Sequence, residues 1–166
     1  MKDFHASPLP AIIDSSWKIG IVASLYHRAV VDALVDGAKT LLLSAGIPAA
    51  NITVHDAPGS FEIPLIGAAL AQTQTVDALL GFGVIVEGET HHARLLAETV
   101  AHGMMNVQTK ELIPFAFEVL YVDSLDQAIA RTQGADHKGV EAARSVLRSL
   151  DTLRTLRDAT DRLRTN

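Results

Sequence analysis

DALLGFGVIVEGETHHARLL, residues 77–96, passes from an unbroken apolar run into a polar cluster and back into apolar residues. Residues 77–86 have the composition of a strand buried on both faces of a sheet. From His92 to about Lys110 the spacing turns helical. Between them stand two acids, a glycine, a threonine and a histidine. A strand that runs almost directly into a helix is half of a βαβ unit, which predicts the same alternation elsewhere in the chain.

The alternation is there. KIGIVAS (18–24) is a second short apolar, β-branched run. Helical spacing follows over residues 28–45, with Val31, Leu34, Val35, Ala38, Leu41 and Leu42 on one stripe, and Gly46 and Pro48 stop it. NITVHDA (51–57) reads as a strand and residues 61–73 as a helix; PFAFEVLYV (114–122) is a fourth strand, and residues 125–131 a short helix. A final helix starts near Lys138 and runs past Leu150, with Leu147, Leu150, Leu153 and Leu156 apolar; its charge-rich end, RDATDRLRTN, either frays or projects. Strands separated by such helices predict right-handed crossovers and a parallel sheet covered on both faces, an α/β/α sandwich. Ligands of such sheets bind beyond the carboxyl ends of the strands. That edge is expected to gather SLYH (24–27), APGSFE (57–62), the opening polar cluster and YVDS (121–124).

With 166 residues the chain suits one domain with a sizeable core. The expected division is an N-terminal arm (1–16), a domain (17–150) and a charged helical extension (151–166). In the arm, Phe4, Leu9, Ile12 and Ile13 either pack on a neighbouring subunit or belong to a disordered tail. A net charge of −5, from 14 basic and 19 acidic residues, argues against an extended nucleic-acid surface. Absence of cysteine excludes disulfides, thiolate metal sites and cysteine nucleophiles, and fits the cytoplasm. The N-terminus lacks the apolar core of a signal peptide, and the longest apolar run, 78–86, is far short of the roughly 18 residues of a membrane span.

Gly81 and Gly83 hint at a dinucleotide fingerprint, but the third glycine is missing and the pair lies inside the apolar run, where close helix–sheet packing explains it better. P-loop, Gly-x-Ser-x-Gly and His-Glu-x-x-His motifs do not occur. Of seven histidines, His91 and His92 are adjacent, and neighbours on a helix diverge by about 100°, a poor arrangement for joint metal ligation. Acid–base and anion chemistry remain. Gly88, Glu89 and Thr90 precede a helix whose first N–H groups suit phosphate or carboxylate; Thr90 is equally an ordinary N-cap. His92 is either a proton-transfer group near neutral pH or an idle solvent-facing side chain. Arg131 and Lys138 flank TQGADH as an anion-binding pair or as ordinary solvated charges.

Taken together, APGSFEIP (57–64), GETHH (88–92), and Arg131 followed by HKGVEAA (137–143) occur in an order and spacing that resembles the 6,7-dimethyl-8-ribityllumazine synthases. KIGIVASLYH and DALVDGA (32–38) fit the same family, and the likeness covers residues 17–150. It implies a flavodoxin-like three-layer α/β/α sandwich with a four-stranded parallel sheet. The implied reaction belongs to riboflavin biosynthesis: 5-amino-6-(D-ribitylamino)uracil condenses with 3,4-dihydroxy-2-butanone 4-phosphate, releasing phosphate and two waters, with no metal or organic cofactor. It further implies a homo-oligomer, a pentamer or a multiple such as a decamer or 60-subunit shell, with sites between neighbouring subunits. The short loop between Arg131 and Lys138 permits a shell.

Carried over position by position, the resemblance implies that Tyr26 stacks on the pyrimidine, that Ser60, Phe61 and Glu62 bind substrate, with Glu62 on a ribityl hydroxyl, and that Val84 and Ile85 present backbone to the uracil edge. Gly88, Glu89 and Thr90 hold phosphate, with Arg131 reaching across the subunit boundary. Lys138 contacts ribityl or phosphate groups, His92 shuttles protons, and Glu141 orients it. Phe117, at the end of the fourth strand, covers the ring from the neighbouring subunit. Three positions depart from the pattern: Glu87 replaces a usual Arg or Lys, Glu118 a common Gly, and Ala93 a frequent aromatic. Glu87 and Glu118 either weaken phosphate binding, mark a non-catalytic or weakly active flavin- or lumazine-binding paralogue of the same fold, or point away into a subunit contact. An archaeal-type riboflavin synthase is a more distant reading, disfavoured because that reaction has no phosphate substrate to need GETHH and Arg131.

Overall fold

The computed structural model describes residues 8–164. In chain order these form β1 (Ile19–Ser24), α1 (Arg28–Ser44), β2 (Ile52–Ala57), α2 (Ile63–Gln72), β3 (Ala78–Val86), α3 (His92–Glu111), β4 (Phe115–Val122), α4 (Leu125–Ala130) and α5 (Lys138–Arg164). Short 3-10 turns at Ala49–Asn51, Ser60–Glu62 and Gly134–Asp136 precede β2, α2 and α5. The four strands are parallel, in the order β2-β1-β3-β4. The chain moves outward from β1 to β2, then crosses back over β1 to lay down β3. A topological switch therefore falls between β1 and β3, where an open α/β sheet leaves a crevice at its carboxyl edge.

Period-two alternation divides the sheet between two cores. On one face Ile19, Ile21 and Ala23 of β1, Leu80, Phe82 and Val84 of β3, and Leu120 and Val122 of β4 meet Val31, Leu34, Ala38 and Leu42 of α1 and Val146, Leu147 and Leu150 of α5. On the other, Val22, Leu79, Ile85, Phe115 and Val119 meet Ile63 and Ala71 of α2 and Ala97, Val100, Met104 and Val107 of α3. Each fully buried aliphatic side chain adds roughly 1.5–3 kcal/mol.

The glycines in this strand do pack as close-approach points. A Cβ on Gly81 would lie 2.5 Å from Met104 and 2.9 Å from Ile63, and one on Gly83 would strike Ser60 Oγ. Gly139, at the start of α5, lets that helix lie directly on the backbone carbonyl of Leu34 in α1.

Leu9 and Ile13 pack against the α1/α5 core of their own chain, so that part of the arm needs no neighbouring subunit to shield it. Ile12 is exposed, and Phe4 lies outside the described residues. The charged end of α5 keeps its helical form to Arg164 and projects, its residues 155–164 all exposed. No described helix is long and apolar enough to cross a membrane.

Candidate functional site

The site grows from a difference in strand length. β1 ends at Ser24, and its last partner on β3 pairs Ala23 with Phe82. β3 continues to Val86 and stays paired to β4 through Val86 and Val122. Over Gly83–Val86, then, the β1-facing edge of β3 has no strand partner among the described residues. The side chains of Val84 and Ile85 are buried, so what this edge offers is backbone donors and acceptors.

Two loops close around that edge. Leu25 N donates to Ala57 O at 2.9 Å, joining the β1–α1 loop to the end of β2. The Arg28 guanidinium bonds Asp32 and Asp56 at 2.7 Å each and clamps the same junction; these hydrogen bonds and charges raise its pKa. His27 takes a left-handed conformation (φ 52°), ending the loop at the mouth of α1. Tyr26 is left 68% exposed above it. After the Pro58-Gly59 turn, Ser60 is buried against Gly83, while Phe61 is exposed. Gly59 leaves a gap that a Cβ would fill, 3.2 Å from Glu62 Oε2 and 3.8 Å from Tyr26 Cδ2. Tyr26, Glu62, Phe61 and the β3 edge thus share one crevice rim.

α3 begins beside it. Glu87 N donates to Val122 O at 2.8 Å, the last rung before the chain leaves the sheet, and Gly88, Glu89 and Thr90 are exposed. The helix cap is His91, one position later than the threonine expected to fill it; Thr90 Oγ instead accepts from His92 N at 3.4 Å. The first turn holds no acid, so its free N–H groups and dipole remain available to an anion. His92 is exposed and Ala93 is buried under it against the α2/α3 core. Glu87 lies within electrostatic reach of Arg94, whose pKa is raised first by its hydrogen bond with Glu98, at 2.8 Å, and to a smaller degree by Glu87. The acid that looks out of place in the sequence therefore has a cation within electrostatic reach.

The remaining expected residues lie elsewhere. Phe117 is the third residue of β4, opposite Gly81, and so stands near the start of the edge strand rather than at its end; it is 42% exposed. Arg131 ends α4, its guanidinium donating to Gln127 O at 2.6 Å and its carbonyl accepting from Lys138 N at 2.8 Å. Lys138 and Glu141 form an ion pair on the first turn of α5, only 19% and 12% exposed. α5 covers the α1 side of the sheet and α3 the opposite side. Within one chain, then, Glu141 does not face His92, and Arg131 and Lys138 do not face Gly88–Thr90. Glu118 alternates with Ala116 and Leu120, which join the α1/α5 core, so within its own chain it points away from Gly88–Thr90 and shares its side with Lys138 and Glu141. Burial pushes its carboxyl up from 4.5 to about 8, with Glu141 raising it further and Lys138 pulling it down.

Two features were not read from the sequence. The Arg28 clamp had a local signal in the spacing of Arg28 and Asp32, but its link to Asp56 depends on strand pairing. The placement of Glu118 beside Lys138 needed the packing of α5 on β4. Among the described residues no cluster of three His, Asp or Glu side chains is arranged to hold a metal. A groove of about 510 Å³ opens between the end of α3 and α5, lined by Gln108, Leu112, Arg148 and Leu153 among others, at the opposite edge of the sheet from these groups.

The family model of 6,7-dimethyl-8-ribityllumazine synthase matches residues 16–154. A protein of that name from Aquifex aeolicus (strain VF5) is 37% identical over 142 residues, covering 84% of this chain and 92% of the relative. Another, from Syntrophus aciditrophicus (strain SB), is 33% identical over 146 residues, covering 87% of this chain and 95% of the relative.

Proposed function

The chain belongs to the 6,7-dimethyl-8-ribityllumazine synthase family, and from that premise we propose how its residues divide the work of the reaction. It is a transferase of riboflavin biosynthesis that joins 5-amino-6-(D-ribitylamino)uracil to 3,4-dihydroxy-2-butanone 4-phosphate. The 5-amino nitrogen attacks the ketone carbonyl and one water leaves as the imine forms. Phosphate then departs from the four-carbon unit, and the ribitylamino nitrogen closes the second ring with loss of the other water.

The observation that carries the assignment is the crevice at the β1/β3 switch, where an unpaired strand edge, an exposed aromatic and a helix N-terminus converge. The backbone of Val84 and Ile85 takes the uracil edge and Tyr26 stacks on the ring. Ser60 and Phe61 line the ribityl path, and Glu62 accepts from a ribityl hydroxyl. Gly88, Glu89 and Thr90 hold the phosphate at the start of α3, where N–H groups and dipole favour an anion. His92 carries protons for imine formation and phosphate loss, a role for which imidazole can both accept and donate. No cofactor enters this scheme.

Lys138 and Glu141 lie on the far side of the sheet from His92, so the complete site is read as shared between copies. Phe117 from a neighbour covers the ring, Arg131 and Lys138 approach the phosphate and ribityl groups, and Glu141 orients His92. The exposed aromatics Phe117 and Tyr121 on the edge strand β4 support such a contact. A pentamer or a multiple of it satisfies the geometry, and we place the assembly in the cytoplasm. The arm (1–16) and the extension beyond residue 150 are read as appendages to the catalytic unit. Incubation with both substrates should yield lumazine absorbance and one phosphate per product. Tight flavin binding without either product would overturn the assignment.

A further inference from the structure

TQGADH (132–137), the loop between the cations Arg131 and Lys138, ends on a histidine to which the reaction scheme gives no part. His137 stands between the Gly134–Asp136 turn and the first residue of α5, its backbone extended (φ −64°, ψ 108°). Its Nδ1 accepts a hydrogen bond from Gly139 N at 3.2 Å, and its carbonyl accepts from Glu141 N at 3.1 Å. This is the arrangement of a helix N-cap: the side chain takes one of the free N–H groups of the first turn while the carbonyl takes the first bond along the helix. Imidazole is not among the side chains usually found there, Asn, Asp, Ser and Thr being preferred. What the ring adds is a second contact. It lies on α1 at Gly37, where a Cβ would overlap its Cε1 and fall 2.5 Å from its Nε2.

Two glycines therefore serve as reciprocal seats between the helices. Gly37 of α1 receives the His137 ring, and Gly139 of α5 receives the Leu34 carbonyl. Lys138 lies between the two residues so held. Its N–H donates to Arg131 O at 2.8 Å, which ties the end of α4 to the same point, and its ammonium pairs with Glu141. We propose that His137 is a positioning residue for the anion-binding end of α5: capping the helix and seated on Gly37, it fixes the place from which Lys138 presents its ammonium and to which Arg131 is tied. The proposal rests on the reading that Lys138 and Arg131 meet the phosphorylated substrate. His137 acts only through these neighbours. Without the cap and the ring, the first turn of α5 would hold its place for a smaller fraction of the time, and apparent affinity for an anion falls with that fraction.

Steady-state kinetics of the assembled protein tests this. In His137→Ala, KM for the phosphorylated ketone should rise roughly 3- to 10-fold. Turnover and KM for the pyrimidine should stay within about 2-fold of wild type. His137→Asn sets an amide oxygen where Nδ1 stands and is itself a favoured cap, so it should recover a good part of the loss. Gly37→Ala approaches from the other side. It leaves His137 in the chain and suits a helix better than glycine does, yet it drives the ring off its seat, and it should raise the same KM. An unchanged KM in both His137→Ala and Gly37→Ala overturns the proposal, and so does an asparagine variant no better than alanine. A fall in kcat with a rise in both KM values, in step with a lowered melting temperature, also overturns it, since that is the mark of a role in folding alone. Titration calorimetry with inorganic phosphate at fixed pH reads the same change without turnover, and affinity should fall in the same ratio. Phosphate bound equally by all four proteins in an active enzyme counts against His137 alone, whereas failure of the wild type to form lumazine counts against the reaction.

Discussion

Replacing Glu118 by glutamine should stabilise the protein, by an amount that grows from about pH 4.5 and levels off above about pH 8. The side chain keeps its shape in the variant and loses its ability to ionise. In the folded chain the carboxyl titrates at about 8, against 4.5 in an ordinary setting, because α5 and β4 withdraw it from water. Below about pH 4.5 both folded and unfolded forms hold the proton, and the glutamate costs no more than the glutamine. Between that point and about pH 8 the unfolded chain releases the proton while the folded chain retains it, so wild-type stability falls as pH rises. Above about pH 8 the difference is constant. At about 1.4 kcal/mol for each pH unit of this interval the ceiling is about 5 kcal/mol. Residual solvent contact and relaxation around the carboxyl bring the expected gain to roughly 1–3 kcal/mol. Urea unfolding of the two proteins at about pH 4, 6, 7.5 and 9 measures it: the curves should coincide at the lowest pH and separate progressively. A constant difference at all pH values, or a variant less stable at about pH 9, would refute the reasoning.

His92→Ala should lower kcat by about 10²- to 10⁴-fold with a smaller change in KM, since a positioned acid–base group acts mainly in the transition state; steady-state kinetics showing near-wild-type turnover would remove it from the mechanism. Arg131→Ala should raise KM for the phosphorylated ketone while leaving KM for the pyrimidine nearly unchanged. Mixing the His92→Ala and Arg131→Ala proteins after dissociation, then reassembling them, should recover part of the activity, because a shared site takes His92 from one copy and Arg131 from another; absence of recovery argues for sites within single chains. Gly139→Ala should cost more than about 3 kcal/mol or abolish soluble expression, because its Cβ would meet the Leu34 carbonyl, a backbone atom that cannot rotate away. A melting temperature within about 2 °C of wild type would contradict that close approach.

Much of the architecture was legible in one dimension because it follows from local rules. Alternating apolar runs at periods of two and 3.6 locate strands and helices. The lengths of the helices between strands force parallel pairing, and parallel pairing sends every strand's following loop to one edge. Tyr26, Ser60, Phe61, Glu62 and Gly88–His92 could therefore be assigned to one edge from the chain alone. The glycines of β3 were legible for the same reason: in an apolar strand, a missing side chain marks the place where a helix or turn comes close.

Other features depend on which elements become neighbours, and spacing carries no information about that. What Phe117 stands beside depends on register: it is the third residue of β4 and pairs with Gly81, near the start of the strand and not at its end. Thr90 is a good capping residue by type, but α3 starts at His92, as its spacing predicts, and the residue before it, His91, takes the cap. Glu87 looked like an uncompensated acid until the first turn of α3 brought Arg94 within reach. Glu118 shows the division most clearly. In the sequence it is an exposed-type residue within an apolar strand, its face given by alternation. Its chemistry follows only from α5 folding back over β4, which removes water and sets Lys138 and Glu141 beside it. Local propensity and period specify the element and the face; the dielectric and the charges that a side chain meets there arise from long-range packing.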